Sequence, residues 1–262
     1  MIVRKRILFS LTALLIFSAK PGMAAHPLIG DDAGTLGKSS MQLELNGDIS
    51  RENETVSGST TRETGKQLAV AFGIGLTERV DLSIGFARAW SNGNSDDVSF
   101  KDTGSADFSM NLKWQFYEQG GVSAAIKPQF GFSYIVGDSE DHVANYGAAL
   151  VVSKEFEPFA LHLNTGYSYN DYKLQAAKDL CRKSTLDFSL AATYQATKNI
   201  TLVTDFGGST SDEKASDKMP IFLLAGAIYA VNDNLDLSGG VKAGLTDRED
   251  DLCGTFGATF KF

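Results

Sequence analysis

The residues of this chain that could do chemistry are three histidines, two cysteines and a spread of carboxylates and lysines. A hydrolase made from them would need a serine within hydrogen-bond reach of a histidine, with a third group orienting the pair. Only His26, His142 and His162 could serve as the base, and none falls on a lipid-facing position beside a serine partner. No catalytic residue is assigned, and the chain is read as not an enzyme. His162 is expected to be a hydrogen-bonded filler rather than a ligand or base. Cys181 and Cys253 sit in no close Cys/His pair, so no metal site is expected, and no cofactor either. In an exported chain the two cysteines could form one disulfide across the outer end of the fold.

The charged residues follow a different rule: they alternate with apolar ones. In the last ten residues Gly254, Phe256, Ala258, Phe260 and Phe262 share one face, and Thr255, Gly257, Thr259 and Lys261 the other. The same period recurs from Met41 onward through twelve segments. Leu68, Val70, Phe72 and Ile74 make one apolar face, and Val80, Leu82, Ile84 and Phe86 the next. The runs at 146–152 and 221–230 are too apolar to phase. Pro128 lies inside the fifth segment and suggests a bulge there. Six long polar connections alternate with five short ones. Trp90, Tyr134 and Tyr169 lie next to long connections; Phe116, Tyr117, Phe159 and Tyr194 lie next to short ones. An even strand number, long loops on one side, tight turns on the other and aromatic belts at both ends define a bacterial outer-membrane barrel. The fold expected over 41–262 is all-β: a single transmembrane antiparallel up-and-down barrel of 12 strands. A final strand ending on Phe260 and Phe262 resembles the terminal signal read by the barrel-assembly machinery.

Twelve strands about 4.8 Å apart and tilted by about 40° give a backbone diameter of roughly 24 Å, narrowed by side chains to about 10–12 Å. The inward set is Glu44, Asp48, Asp81, Asp107, Asp187, Asp205 and Asp236, opposed by Lys113, Lys127, Lys242 and Lys261, with His162 among them. Such a lining is either a salt-bridge network filling the lumen or a selectivity lining. The acid clusters Asp138, Glu140, Asp141 and Asp247, Glu249, Asp250, Asp251 fall in outer loops and read as solvated charge.

Residues 1–24 read as a cleaved signal peptide: Arg4, Lys5 and Arg6, an apolar run from Ile7 to Ala19, then small residues at Ala24 and Ala25. Its removal takes Lys20 as well and moves the net charge from -8 to -12. An acidic mature chain excludes the basic footprint of nucleic-acid binding. Residues 25–40, with His26, Asp31 and Asp32, lack any period. They form either a disordered periplasmic tail, the reading slightly preferred, or a small plug in the barrel. The expected surroundings are outer-membrane lipid and lipopolysaccharide.

The stretch from His26 to Lys38, His-Pro-Leu-Ile-Gly-Asp-Asp-Ala-Gly-Thr-Leu-Gly-Lys, resembles the start of the "meta-pathway of phenol degradation" family. Leu76-Thr-Glu-Arg-Val-Asp-Leu82, Gly104-Ser-Ala-Asp-Phe108 with Lys113-Trp114, and Asn232-Asp-Asn-Leu-Asp-Leu237 are similar to it too. The resemblance implies a transporter-like outer-membrane barrel and an involvement with aromatic catabolism, and brings no catalytic set. The function expected is a channel for small molecules, hydrophobic or aromatic ones included, with the solute unidentified. The alternative is a closed structural or surface-interaction barrel.

Overall fold

Alternation sends successive side chains to opposite faces of a strand, so a ring of such strands can hold a greasy outside and a polar inside at once. The computed structural model describes residues 26–56, 59–95, 98–136 and 142–262. The expected signal peptide, and Asp138, Glu140 and Asp141, lie outside the described residues. The strands are β1 (Met41–Val56), β2 (Ser59–Thr77), β3 (Val80–Ser95), β4 (Val98–Asp102), β5 (Ser105–Gln119), β6 (Val122–Ile135) and β7 (His142–Phe156). They continue as β8 (Phe159–Tyr172), β9 (Ser184–Gln195), β10 (Ile200–Ser209), β11 (Ile221–Asn232), β12 (Leu235–Gly244) and β13 (Leu252–Lys261). A short helix, α1 (Gln175–Leu180), lies between β8 and β9. Each strand pairs antiparallel with its sequence neighbour, except that β4 only folds back on the far end of β3, while β3 pairs onward with β5. The ring closes where β1 meets β13, from Gln42 opposite Lys261 to Arg51 opposite Leu252. The result is a closed barrel of 12 strands.

The outside is apolar. Leu45, Leu68, Phe86, Trp114, Leu163, Leu190, Val241 and Phe256 are among the large side chains left exposed there. In water such a surface would be a liability; in a bilayer it is the contact with lipid. Phe156, Phe159 and Tyr194 stack in a row beside two short turns, with centroids 6.0 and 4.8 Å apart. Among the described residues no helix is long and apolar enough to cross a membrane. The strands do the crossing, with their backbone groups paired strand to strand around the ring.

The strands differ from expectation in four places. β1–β2 and β3–β4 run out as paired strands where long loops were expected, because polar strands wetted on both faces can project beyond the bilayer. The bulge lies at Phe116, between Gln115 and Tyr117, and not at Pro128. The ladder between β5 and β6 simply skips the pairs at 112–113, where proline has no N–H to give. The disulfide that the two cysteines could form is not made: Cys181 and Cys253 are separate thiols. Cys181 packs with Val143, Tyr172 and Ala177 and bridges to Glu213, while Cys253 faces inward between Ser50 and Lys242. The loop bearing α1 folds onto its own neighbouring strands instead of across the mouth.

Candidate functional site

The stretch before β1 lies inside the barrel. From His26 to Ser40 it follows the inner wall in ring order rather than crossing it. His26 stands between β12 and β13, its Nδ1 2.6 Å from Ser238 Oγ and its Nε2 2.6 Å from Thr255 Oγ1. The amides of Ile29 and Gly30 donate to Asp205 of β10, at 2.9 and 2.7 Å. On β8, Asn164 accepts from the Asp31 amide and donates to its carbonyl, both at 2.9 Å. The Ala33 amide donates to Ser153 of β7 at 2.9 Å, and the Leu36 amide to Asp81 of β3 at 2.9 Å. The Ser39 amide then donates to the Gly75 carbonyl of β2, and the chain passes into β1. Wall carboxylates and amides thus meet the backbone N–H groups that an irregular buried chain cannot satisfy by itself.

Charge holds the middle of the segment. The Asp31 carboxylate lies 2.9 Å from Lys113 Nζ and 2.7 Å from Lys127 Nζ, with all three side chains at least 94% buried. Lys113 also donates to the carbonyls of Asp32 and Gly34, at 3.0 and 3.2 Å. Burial alone would raise the Asp31 carboxyl, but the two ammonium neighbours outweigh it and hold it well below the usual carboxylate range. His26 carries the opposite message: burial pushes its imidazole down to about 4, so it is neutral at pH 7.

Two apolar contacts complete the fit. Leu28 packs with Ala191, Val203, Phe222 and Leu224, and Ala33 with Ala125 and Val151. These wall residues point into the lumen, which is why the runs on β7 and β11 could not be phased: both of their faces are apolar. Pro27 sits over Gly226 and Gly240, cross-strand partners on β11 and β12. A Cβ on Gly226 would come within 2.7 Å of the proline ring.

The remaining inward residues fall as follows. Glu44 accepts from Gln42 at 2.5 Å and lies near Asn46. Asp107 accepts from Ser105 at 3.0 Å. Asp236 pairs with Lys261 at 2.5 Å, and Lys242 with Glu249 of the last loop. Asp48 lies between Ile49 and Gly47 on β1, opposite Thr255, and Asp187 lies against Gly166. His162 Nδ1 is 2.8 Å from Ser153 Oγ. This serine–histidine contact is the one that hydrolytic chemistry would need, but it faces the lumen, and the same serine oxygen accepts the Ala33 amide. It serves as a clasp for the segment. Ser153, Asn164, Leu28 and the glycine pair were not singled out by sequence reasoning, which had no sign of what they would touch. Among the described residues no group of side chains could hold a metal ion.

A lipid-facing belt, a closed ring and a polar interior define a transmembrane β-barrel of the bacterial outer membrane. The chain belongs to the family described as "Putative MetA-pathway of phenol degradation", whose model matches residues 30–262. Among solved structures it is similar to an outer membrane channel from Pseudomonas putida F1, at 12% identity over 88% of this chain and 98% of that one, with a TM-score of 0.65. The transport unit of the autotransporter AIDA-I from Escherichia coli aligns at 11% identity over 97% of both chains, with a TM-score of 0.60. The KdgM porin in complex with disordered oligogalacturonate aligns at 9% identity over 84% of this chain and 99% of that one, with a TM-score of 0.57. At these identities the likeness is one of fold. None of the curated protein sequences compared with it is detectably similar.

Proposed function

We propose that this protein is an outer-membrane channel for small molecules whose N-terminal segment, residues 26–40, narrows the lumen as an inner lining. The observation that supports the reading is the run of bonds between residues 26–39 and the polar inner wall. A barrel needed only as a scaffold could fill its lumen with packed side chains; this one holds a strap, a segment that lies outside the strand ladder. The inward carboxylates and lysines left beside it are read as the selectivity lining. Channels and porins among the similar structures support this reading over an enzyme, and we infer no catalytic activity. Phe260 and Phe262 are read as the assembly signal, and lipopolysaccharide as the outer-leaflet neighbour. The sheer number of lumen groups engaged by the segment favours a second reading, a closed barrel.

Single-channel conductance of the refolded mature protein in a planar bilayer separates the two, measured with and without residues 25–36. Conductance in the full chain, rising on truncation, is the expected result. Silence in both, from protein shown to be folded, overturns the channel reading.

A further inference from the structure

Charge is sorted between the two faces of the wall at the loop end of β1 to β4. Strand parity runs on from the lipid-facing Leu45, Leu68 and Phe86 to Arg51 on β1, Arg62 and Lys66 on β2 and, through β3, Lys101 on β4. All four cations therefore stand on the outside. In the same stretch Glu52, Glu63 and Asp102 alternate to the inside, on the face where Ser50, Gln67 and Ser91 are buried. Asp251, at the margin with β13, accepts from the amide and the side chain of Asn53, at 3.0 and 2.8 Å. Among the described residues none of the four cations is in an ion pair. Arg88, also outside, is occupied by the carbonyls of Ala89 and Ser105. The turn end of the barrel shows no such sorting: Glu78 and Arg79 are exposed side by side, as are Lys154 and Glu155.

The register brings the cations together. Arg51 lies opposite Thr64, which puts Arg62 and Lys66 on its two diagonals. Diagonal neighbours on one face of a sheet are about 7–8 Å apart, within reach of one another for long side chains. Lys101 flanks them in the row of Arg51, Thr64 and Asn92. One row nearer the bilayer, Ile49, Lys66 and Trp90 stand abreast, and an indole at that level marks the membrane interface. Below it Leu68 and Phe86 are exposed to lipid. The outside of this wall thus passes from apolar to aromatic to cationic on the way out of the membrane. A lipid that fits it carries phosphates above its acyl chains.

Resting on the outer-membrane barrel with its long loops outside, and not on conduction, we propose that the outer face of β1 to β4 is a binding site for lipopolysaccharide. The lipid A phosphates lie on Arg51, Arg62, Lys66 and Lys101, and the acyl chains lie against Leu68 and Phe86. Guanidinium forks match phosphate oxygens in pairs, and the lysines add point charges.

The test is native mass spectrometry of the refolded mature protein released from detergent micelles, with a chelator present so that no divalent ion bridges the charges. The probes are diphosphoryl lipid A, lipid A stripped of both phosphates, and phosphatidylglycerol. Diphosphoryl lipid A is expected to bind at least about tenfold more tightly than either of the others. Arg51→Gln combined with Lys66→Gln should weaken it about tenfold or more, while Lys154→Gln at the turn end should leave it unchanged. Should that pair refold poorly, Arg62→Gln combined with Lys101→Gln, both at exposed positions, carries the same test. A barrel that binds in this way but stays silent in a planar bilayer would sink the channel reading alone. Equal binding of the stripped lipid, equal binding of phosphatidylglycerol, or full affinity in the folded variants would overturn the proposal.

Discussion

At Asp31 a single carboxylate is shared by two buried lysines, one on each oxygen. Asp31→Asn would leave Lys113 and Lys127 as uncompensated charges, and breaking a buried pair by removing one partner costs about 3–5 kcal/mol. The strap rather than the barrel carries that cost, because the ladder does not pass through Asp31. The expected outcome is a folded variant with conductance approaching that of the truncated chain; conductance like the wild type would show that the ion pair does not hold the strap. Protonation should act on the same strap. His26 has its imidazole lowered from 6.5 to about 4 when docked, so the docked state takes up its proton less readily. Docking energy from His26 is full above pH 6.5 and declines as the pH falls towards 4. Asp31, lowered as well, keeps its contribution down to the carboxylate range and loses it only below that. Amide exchange across 26–36 should therefore rise in two steps on acidification, after correction for intrinsic rates. Asp32, Lys113, Asp236 and Lys261 are the charged groups that line the same cavity as His26. His26→Gln, which keeps hydrogen-bonding capacity, should flatten that step alone; an unchanged first step would assign it elsewhere.

Among the elements, the strap and the strands on which it lies were written for each other. Gly226 and Gly240 leave room for the Pro27 ring, so Pro27→Gly, which empties that socket without adding an atom against the backbone of β12, should loosen the tip of the strap while β11 and β12 stay paired. Hydrogen exchange would then rise at 28–31 and not in the strands; protection retained at 28–31 would rule out the socket. The barrel itself could be read from the sequence because lipid outside and water inside impose period two on nearly every strand. β7 and β11 resisted because Val151, Phe222 and Leu224 turn inward to meet Ala33 and Leu28. The strap resisted for a related reason. A chain whose N–H groups are met one at a time by Asp205, Asn164, Ser153 and Asp81 needs no period, and so looks like a tail. The inward residues could be found by counting in twos, but their partners could not: Lys113 and Lys127 are adjacent to Asp31 only once the strap is in place. Where loops were expected at β1–β2 and β3–β4, polar composition was taken for irregular backbone, although strands beyond the bilayer are polar on both faces.

For the molecule as a whole, the net sign of the lumen should decide what passes. The inward wall carries seven named carboxylates against four lysines, and the strap adds Asp31 and Asp32. Lys113 and Lys127 share the single charge of Asp31 and Lys242 pairs with Glu249, whereas Lys261, paired with Asp236, is the most exposed of the four. A narrow passage with an acidic surplus concentrates cations, because its low-dielectric walls focus the field. The Debye length is about 10 Å at 0.1 M salt, comparable with the expected lumen, and about 3 Å at 1 M. Cation preference should therefore be marked in dilute salt and shrink in concentrated salt. Reversal potentials across a potassium chloride gradient measure it directly: permeability of potassium over chloride is expected to be several-fold near 0.1 M and to fall towards parity near 1 M. Asp236→Asn should reduce the ratio in dilute salt, and Lys261→Gln should increase it. A chloride preference in dilute salt would mean that the carboxylates are screened or protonated in place, and the lining would then be a structural filler rather than a filter.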